Sequence, residues 1–251
     1  MSTGAVTLHE LQLGFKGVVA ANITLTISPG EVVVLLGPSG CGKSTILRAL
    51  AGLLTPMSGT ASVDGAPVAG NAAQCAMVFQ EDALFPWRTA LKNVQYPLKL
   101  RGIRGKELKA AATARLEQVG LGACLDHLPS QLSGGMRQRV QLARTLACEP
   151  RVMLMDEPFG ALDAQTRLEM RQLLTSVWET QKMTILFVTH DVDEALLLAD
   201  RVVLLTHHPA TVADVITIDK PRSPEAQFEQ TYQRRRRAIL EFLGHRPAET
   251  A

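Results

Sequence analysis

Gly37-Pro38-Ser39-Gly40-Cys41-Gly42-Lys43-Ser44-Thr45 stands between the apolar run Val32-Val33-Val34-Leu35-Leu36 and the helix-forming stretch Ile46-Leu47-Arg48-Ala49-Leu50-Ala51. That order predicts a buried strand, a glycine-rich turn and a helix. The stretch satisfies G-x-x-x-x-G-K-[ST], in which glycines let backbone N–H groups close around phosphate oxygens, the lysine reaches the β- and γ-phosphates and the hydroxyl holds Mg²⁺. The positive dipole end of the following helix adds to the same site. Residues Gly37 to Thr45 are therefore read as a nucleotide phosphate loop. Cys41 within it is open to two readings, a small filler residue or a reactive thiol.

Upstream, Val6 to Leu13 alternates apolar and polar residues. Ile23-Thr24-Leu25-Thr26-Ile27 does so again before the turn Ser28-Pro29-Gly30, which predicts an antiparallel pair ahead of the loop. Phe15 follows the first of these runs. It is either a core aromatic or a ring placed to stack on adenine.

Downstream, Gly52, Pro56 and Gly59 end the helix, and Thr60 to Val63 predicts a short strand closed by Asp64-Gly65. Cys75 to Phe79 predicts a further buried strand ending at Gln80. A strand-end amide in a doubly wound sheet points into the ligand crevice, although a solvated loop glutamine fits equally. Beyond Glu81 the texture turns helical, with Leu108, Ala111, Ala112, Leu116 and Val119 at helical spacing between Gly105 and Gly120. The loop Leu84-Phe85-Pro86-Trp87 is apolar where loops are polar. It is either a protein contact or packing for the helical region.

Leu132-Ser133-Gly134-Gly135-Met136-Arg137-Gln138-Arg139 runs into another helix, and a serine with two glycines there makes either a helix cap or a second anion cradle. Val152-Met153-Leu154-Met155 is a buried strand ending in Asp156-Glu157. Behind a phosphate loop these carboxylates read as a metal ligand and a base for the attacking water. Asp163 opens a helix reaching about Thr180, and the strand Thr184 to Thr189 ends at His190. His207 and His208 read as loop residues. The tail from Pro221 carries Arg234-Arg235-Arg236-Arg237 beside Ile239, Leu240, Phe242 and Leu243, a surface helix whose basic face meets solvent, a membrane surface or a partner.

With 251 residues, 46% hydrophobic and 20% charged, the chain can bury a sizeable core. A net charge of +2 gives no bulk reason for a nucleic-acid partner. The start Met1-Ser2-Thr3-Gly4 has neither the basic nor the apolar region of a secretion signal, and no apolar run of membrane-spanning length occurs, so a cytosolic chain is expected. Four scattered cysteines without a C-x-x-C pair suggest neither zinc nor disulfides.

Taken together, these motifs in this order resemble the ATP-binding subunit of an ABC transporter, from about Val6 to about Ile218. The segment Leu132 to Arg139 resembles the family's signature and is the most specific element. The resemblance implies an α/β fold: a P-loop NTPase (RecA-like) core sheet, an N-terminal antiparallel β-subdomain and an inserted α-helical subdomain at about 82–148. It implies one ATPase domain over 1–220 with a basic helical tail over 221–251. ATP and Mg²⁺ are the implied cofactors. Gly37, Pro38, Ser39, Gly40, Cys41, Gly42, Lys43, Ser44 and Thr45 would hold phosphate, and Ser44, Gln80 and Asp156 would hold Mg²⁺. Glu157 would polarise water, His190 would contact the γ-phosphate, and Phe15 would stack on adenine.

A cradle of Ser133 and Gly135 without its own nucleotide implies a homodimer, each copy closing over the other's ATP beside Asp163. Met136 replaces the signature's common glutamine and removes that amide's hydrogen bonds. Residues 78–87 and 156–163 look most like the ATPases of bacterial importers for nitrate, taurine and alkanesulfonates. That group implies a permease received at Leu84-Phe85-Pro86-Trp87, indirectly a solute-binding protein, no nucleic acid, and a place on the cytoplasmic face of the inner membrane. The chain is expected to lack the extra C-terminal β-domain that sugar-importer ATPases add. The alternatives are an exporter ATPase or a non-transport ATPase of DNA repair or the ribosome.

Overall fold

A computed structural model describes residues 3–14, 17–68, 74–81, 83–218 and 227–244. The chain divides into two compact units, Met1–Asn71 with Thr184–Ala251, and Ala72–Met183.

In the first unit, β1 (Val6–Gly14) and β2 (Val18–Ile27) form the expected antiparallel pair, with Val6 opposite Ile27 and Leu8 opposite Leu25. The other edge of β1 takes β4 (Ser58–Val63), and β5 (Ala66–Pro67) extends that sheet. A second sheet is built on β3 (Val32–Leu36), all five residues of which are buried. Parallel neighbours flank it on both sides: β8 (Thr184–Thr189), also wholly buried, and β9 (Arg201–Leu205). Burial on both faces is what the unbroken apolar runs required. The antiparallel β10 (Val212–Thr217) closes the far edge. The start of β3 is fixed by side chains, since Val32 N–H donates to the Asp200 carboxylate at 2.9 Å and Gly30 N–H to the Thr184 hydroxyl at 2.9 Å. Beyond its other end lies α1 (Lys43–Leu50), which buries Ile46, Leu47, Ala49 and Leu50.

The second unit pairs β6 (Cys75–Val78) in parallel with β7 (Val152–Asp156). β7 is fully buried, but Cys75, Ala76 and Met77 are only half-buried. The expectation of a buried strand thus holds only at Val78, because β6 is the last strand of its sheet. Helices α2 (Ala90–Leu100), α3 (Gly105–Gln118) and α4 (Gly134–Leu146) pack together, α3 burying Leu108, Ala112 and Leu116. The long helix α5 (Ala164–Gln181) starts at Asp163.

Two helices complete the first unit: α6 (Val192–Leu198) and α7 (Gln230–Phe242). The arginine-rich tail helix is not wholly solvated. It buries Tyr232 and Ile239, the Tyr232 hydroxyl donates to Asp193 Oδ1 at 2.8 Å, and Arg236 Nε donates to the same oxygen at 2.8 Å. Burial, then the bond to the Asp193 carboxylate, push the Tyr232 phenol well above its ordinary value of about 10. A raised pKa means that folding favours the neutral phenol, so the contribution is complete below about pH 10 and declines as pH rises further. In urea unfolding, the stability advantage of wild type over Tyr232→Phe should therefore hold up to about pH 10 and shrink as pH rises above it. An unchanged gap would show that the phenol proton plays no part in docking α7.

Candidate functional site

The phosphate loop joins β3 to α1 within the first unit. Lys43, 5% exposed, turns back and donates from Nζ to Gly37 O at 2.7 Å and Pro38 O at 2.9 Å. Gly42 occupies the cap position of α1 with φ 113°, and a Cβ there would lie 2.8 Å from Val19 Cγ1, so only glycine fits. Ser39 and Gly40 form the exposed tip, Ser44 is half-buried and Thr45 is buried in the first turn. Cys41 is 1% exposed, and burial raises its thiol pKa, which supports the filler reading over a reactive thiol. Phe15 lies outside the described residues.

The start of α1 differs from the other helix starts that carry predicted site residues. Ser133 caps α4, Asp163 caps α5 and Asp191 caps α6, each side chain accepting from backbone N–H groups. α1 has no side-chain cap and no acidic residue in its first turn. The positive dipole end of α1 thus lies beside a buried ammonium with no acidic residue in the turn to oppose an anion, and a triphosphate suits that field. His190 emerges at the same sheet end, because Thr189 pairs with Leu36, the residue before Gly37. It is exposed, and its neighbours are pinned. The Thr189 hydroxyl donates to Glu194 at 2.7 Å and accepts from Asp191 N–H at 3.0 Å, while Asp191 Oδ1 accepts from Asp193 and Glu194 N–H.

In the second unit, Val78 pairs with Met155, so Gln80 and Asp156-Glu157 leave the same end of the β6–β7 pair. Asp156 is buried and Gln80 exposed. Glu157 has φ 43°, a left-handed conformation uncommon for a non-glycine residue and found preferentially where function constrains the backbone. Gln80 also lines a cavity of about 540 Å³ with Gly134, Arg137, Gln138 and Leu162, which brings the strand-end glutamine to the signature segment.

Both readings of that segment find support. Ser133 Oγ accepts from Met136 N–H at 3.2 Å as a cap, which leaves its O–H proton free of that bond and able to donate outward. Gly135 has a steric reason of its own, as a Cβ would stand 2.3 Å from Thr166 Cγ2 on α5. Thr166 cannot rotate away freely, since its N–H and hydroxyl both bond to Asp163, at 3.0 and 2.8 Å. These bonds, the amide first, hold the Asp163 carboxyl below its ordinary pKa. Sequence reasoning found Asp163 but missed Thr166 and Val19, which matter only through residues distant in sequence.

The loop Leu84-Phe85-Pro86-Trp87 divides between its two readings. Leu84 is buried and the Phe85 ring meets Tyr96 edge-on at 5.0 Å, whereas Trp87 is 73% exposed. Phe85 and Tyr96 also line a groove of about 430 Å³ with Met77, Phe79, Leu100 and Cys148. Among the described residues, no helix is long and apolar enough to cross a membrane, and no cluster of three His, Cys, Asp or Glu side chains is placed to hold a metal.

Comparison with known proteins gives a consistent result. The family described as ABC transporter matches residues 20–160. The nitrate import ATP-binding protein NrtD of Synechocystis sp. is 47% identical over 231 residues, 91% of this chain and 87% of that protein. The taurine import ATP-binding protein TauB of Yersinia pestis is 44% identical over 198 residues, 79% of this chain and 78% of the relative. Among solved structures, a dimeric post-hydrolysis state of the ATP-binding cassette MJ0796 bound to ADP and Pi matches with TM-score 0.77 and 31% identity, covering 86% of this chain and 100% of that one.

The steric account of Gly135 can be measured. Gly135→Ala should lower the unfolding free energy by about 1–3 kcal/mol despite alanine's better helix propensity. In a Thr166→Ser background, which removes Cγ2 and keeps the bond to Asp163, the same substitution should be neutral or stabilising. Equal losses in both backgrounds would disprove the clash.

Proposed function

The chain belongs to the ABC transporter family and is an ATP hydrolase of that family; from that premise we propose that it is the ATPase subunit of a bacterial importer for a small anionic solute such as nitrate, taurine or an alkanesulfonate. The chemistry is carried by one observation above all: the buried Lys43 ammonium at the uncapped start of α1. On phosphate binding Lys43 exchanges its bonds to Gly37 and Pro38 carbonyls for phosphate oxygens, and the amides from Gly37 to Thr45 complete the cradle. Phe15 stacks on the adenine.

Ser44, Gln80 and Asp156 are the residues that would hold Mg²⁺, which when bound neutralises charge on the β- and γ-phosphate oxygens. Glu157 accepts a proton from the attacking water and orients it, and His190 donates to the γ-phosphate. Little covalent work falls to the protein in a loose phosphoryl transition state, so positioning and charge stabilisation supply the rate.

Ser133 and Gly135, which hold no nucleotide of their own, close over the ATP of a second copy, with Asp163 at the same boundary. The resulting homodimer forms on ATP binding and opens after hydrolysis. The MJ0796 cassette, solved as a dimer, supports this assembly. Import is supported by the names of the nitrate and taurine relatives and by Trp87, exposed beside the Phe85 groove, where a permease segment would dock. The chain then works peripherally, at the cytoplasmic face of the inner membrane, with a solute-binding protein on the other side.

Glu157→Gln should lower turnover by about 10²-fold or more, the range for removing a general base, while ATP affinity changes less than about threefold. ATP and Mg²⁺ should then shift this variant from monomer to dimer in size-exclusion chromatography. Tagged Glu157→Gln protein, with ATP and Mg²⁺, should bring down one polytopic permease in stoichiometric amount from gently solubilised membranes, and Trp87→Ala should weaken that capture. Recovery of ribosomes or DNA-bound proteins in place of a permease would end the importer reading and leave the ATPase intact.

A further inference from the structure

One face of α4 is polar and yet buried. Gln138, Gln141 and Arg144 recur every three residues along it, and Gln138 and Gln141 are 6% and 0% exposed. All three reach the same stretch of backbone. Gln141 Nε2 donates to Phe79 O and Glu81 O, each at 3.3 Å, and Gln138 Nε2 donates to Gln80 O at 3.3 Å. Arg144 Nη1 donates to Ala83 O at 2.9 Å. The amides can take only one orientation here, since every group they face on that stretch is an acceptor. The carbonyls of residues 79, 80, 81 and 83 are thereby bonded to a single helix, the one that begins at Ser133.

Directional bonds of this kind fix position along the helix better than apolar contact does, because they weaken steeply with distance and angle. We infer that Gln138, Gln141 and Arg144 are positioning residues that lock the Gln80 segment to the signature helix, so that Gln80 and the Ser133–Gly135 cradle move as one body during hydrolysis. The inference rests on the roles proposed above for Gln80 and Ser133. Neither α4 glutamine need touch nucleotide. Each acts through the main chain it holds, Gln141 most of all, since it binds the carbonyls on both sides of Gln80.

The test uses the full chain and steady-state ATP hydrolysis. Gln141→Met keeps the side-chain length and deletes both donors; its kcat should fall about tenfold with KM for ATP within about twofold. On a Gln80→Ala background the same substitution should cause a further loss of less than about twofold, because two residues acting as one unit are not additive. Retained kcat in Gln141→Met, or a full tenfold further loss on the Gln80→Ala background, would overturn the proposal. Should Gln141→Met fail to fold, Gln138→Met, nearer the open cavity, decides by the same two measurements. Gln80→Ala and Ser133→Ala alone separate the two levels of argument. If both lower turnover and the α4 variants do not, the lock is wrong and the site reading stands. If neither lowers turnover, the site reading fails and the lock fails with it.

Discussion

The parallel hydrogen bonds that hold Val32–Leu36 between Thr184–Thr189 and Arg201–Leu205 set where the phosphate loop begins. Side chains alternate faces along a strand, so a slip of one residue would turn every buried contact of this run over and shift Gly37 relative to Thr189. Slippage is opposed at the start of β3, where Asp200 exchanges two bonds with Val32, and the Thr184 hydroxyl receives Gly30 N–H. The loop's chemistry depends on this register. Lys43 can curl back onto Gly37 and Pro38 only because Leu36 ends where it does, and His190 stands beside the loop for the same reason.

Helix starts then divide the labour. A side-chain cap stabilises a helix by about 1 kcal/mol, and α4, α5 and α6 each have one. α1 forgoes it. The positive dipole end of α1, next to a buried cation and with no acidic residue in its first turn, is a local excess of positive charge that an anion neutralises on binding. Gly42 and Cys41 serve that arrangement from opposite sides, the one by leaving room against Val19, the other by filling the space beneath Gly37, whose Cβ would lie 3.2 Å from the Cys41 sulfur. A cradle held this way is formed before the ligand arrives, which lowers the ordering cost of binding.

What the sequence made legible was whatever a short segment determines by itself. The phosphate loop, the strand ending in Asp156-Glu157, the β1–β2 alternation and the helix after Asp163 are all local patterns, and the structure has them where they were expected. Features made by distant segments were not legible. Nothing near Cys75 reveals that β6 has a neighbour on one side only. Nothing near Arg236 announces that Asp193, 43 positions earlier, will receive it. Gly135 looked like part of a helix cap or an anion cradle, whereas Thr166 of another helix shows that the absence of a Cβ is needed there as well. Asn93 was invisible as well. It is fully buried in α2 and ties the main chain of Phe85, Arg88 and Thr89, which is why the apolar loop around Phe85 keeps one shape.

The same contrast explains the character of α4. A helix that had only to fill space would bury leucines on every covered face, and such contacts tolerate small sliding because they are non-directional. α4 buries Val140, Leu142, Ala143 and Leu146, but it also buries Gln138, Gln141 and Thr145. Burying an amide is unfavourable unless it is bonded, and bonds at 3.3 Å, at the long end of the normal range, recover only part of that loss. Replacing either amide by an apolar group would leave the carbonyls it holds without that partner, so the two buried glutamines three residues apart are explained by those bonds and not by space-filling. What the bonds supply is register: four carbonyls on one loop and three donors on one helix specify a single relative position, and a piece of protein that must carry a displacement from one end to the other depends on it.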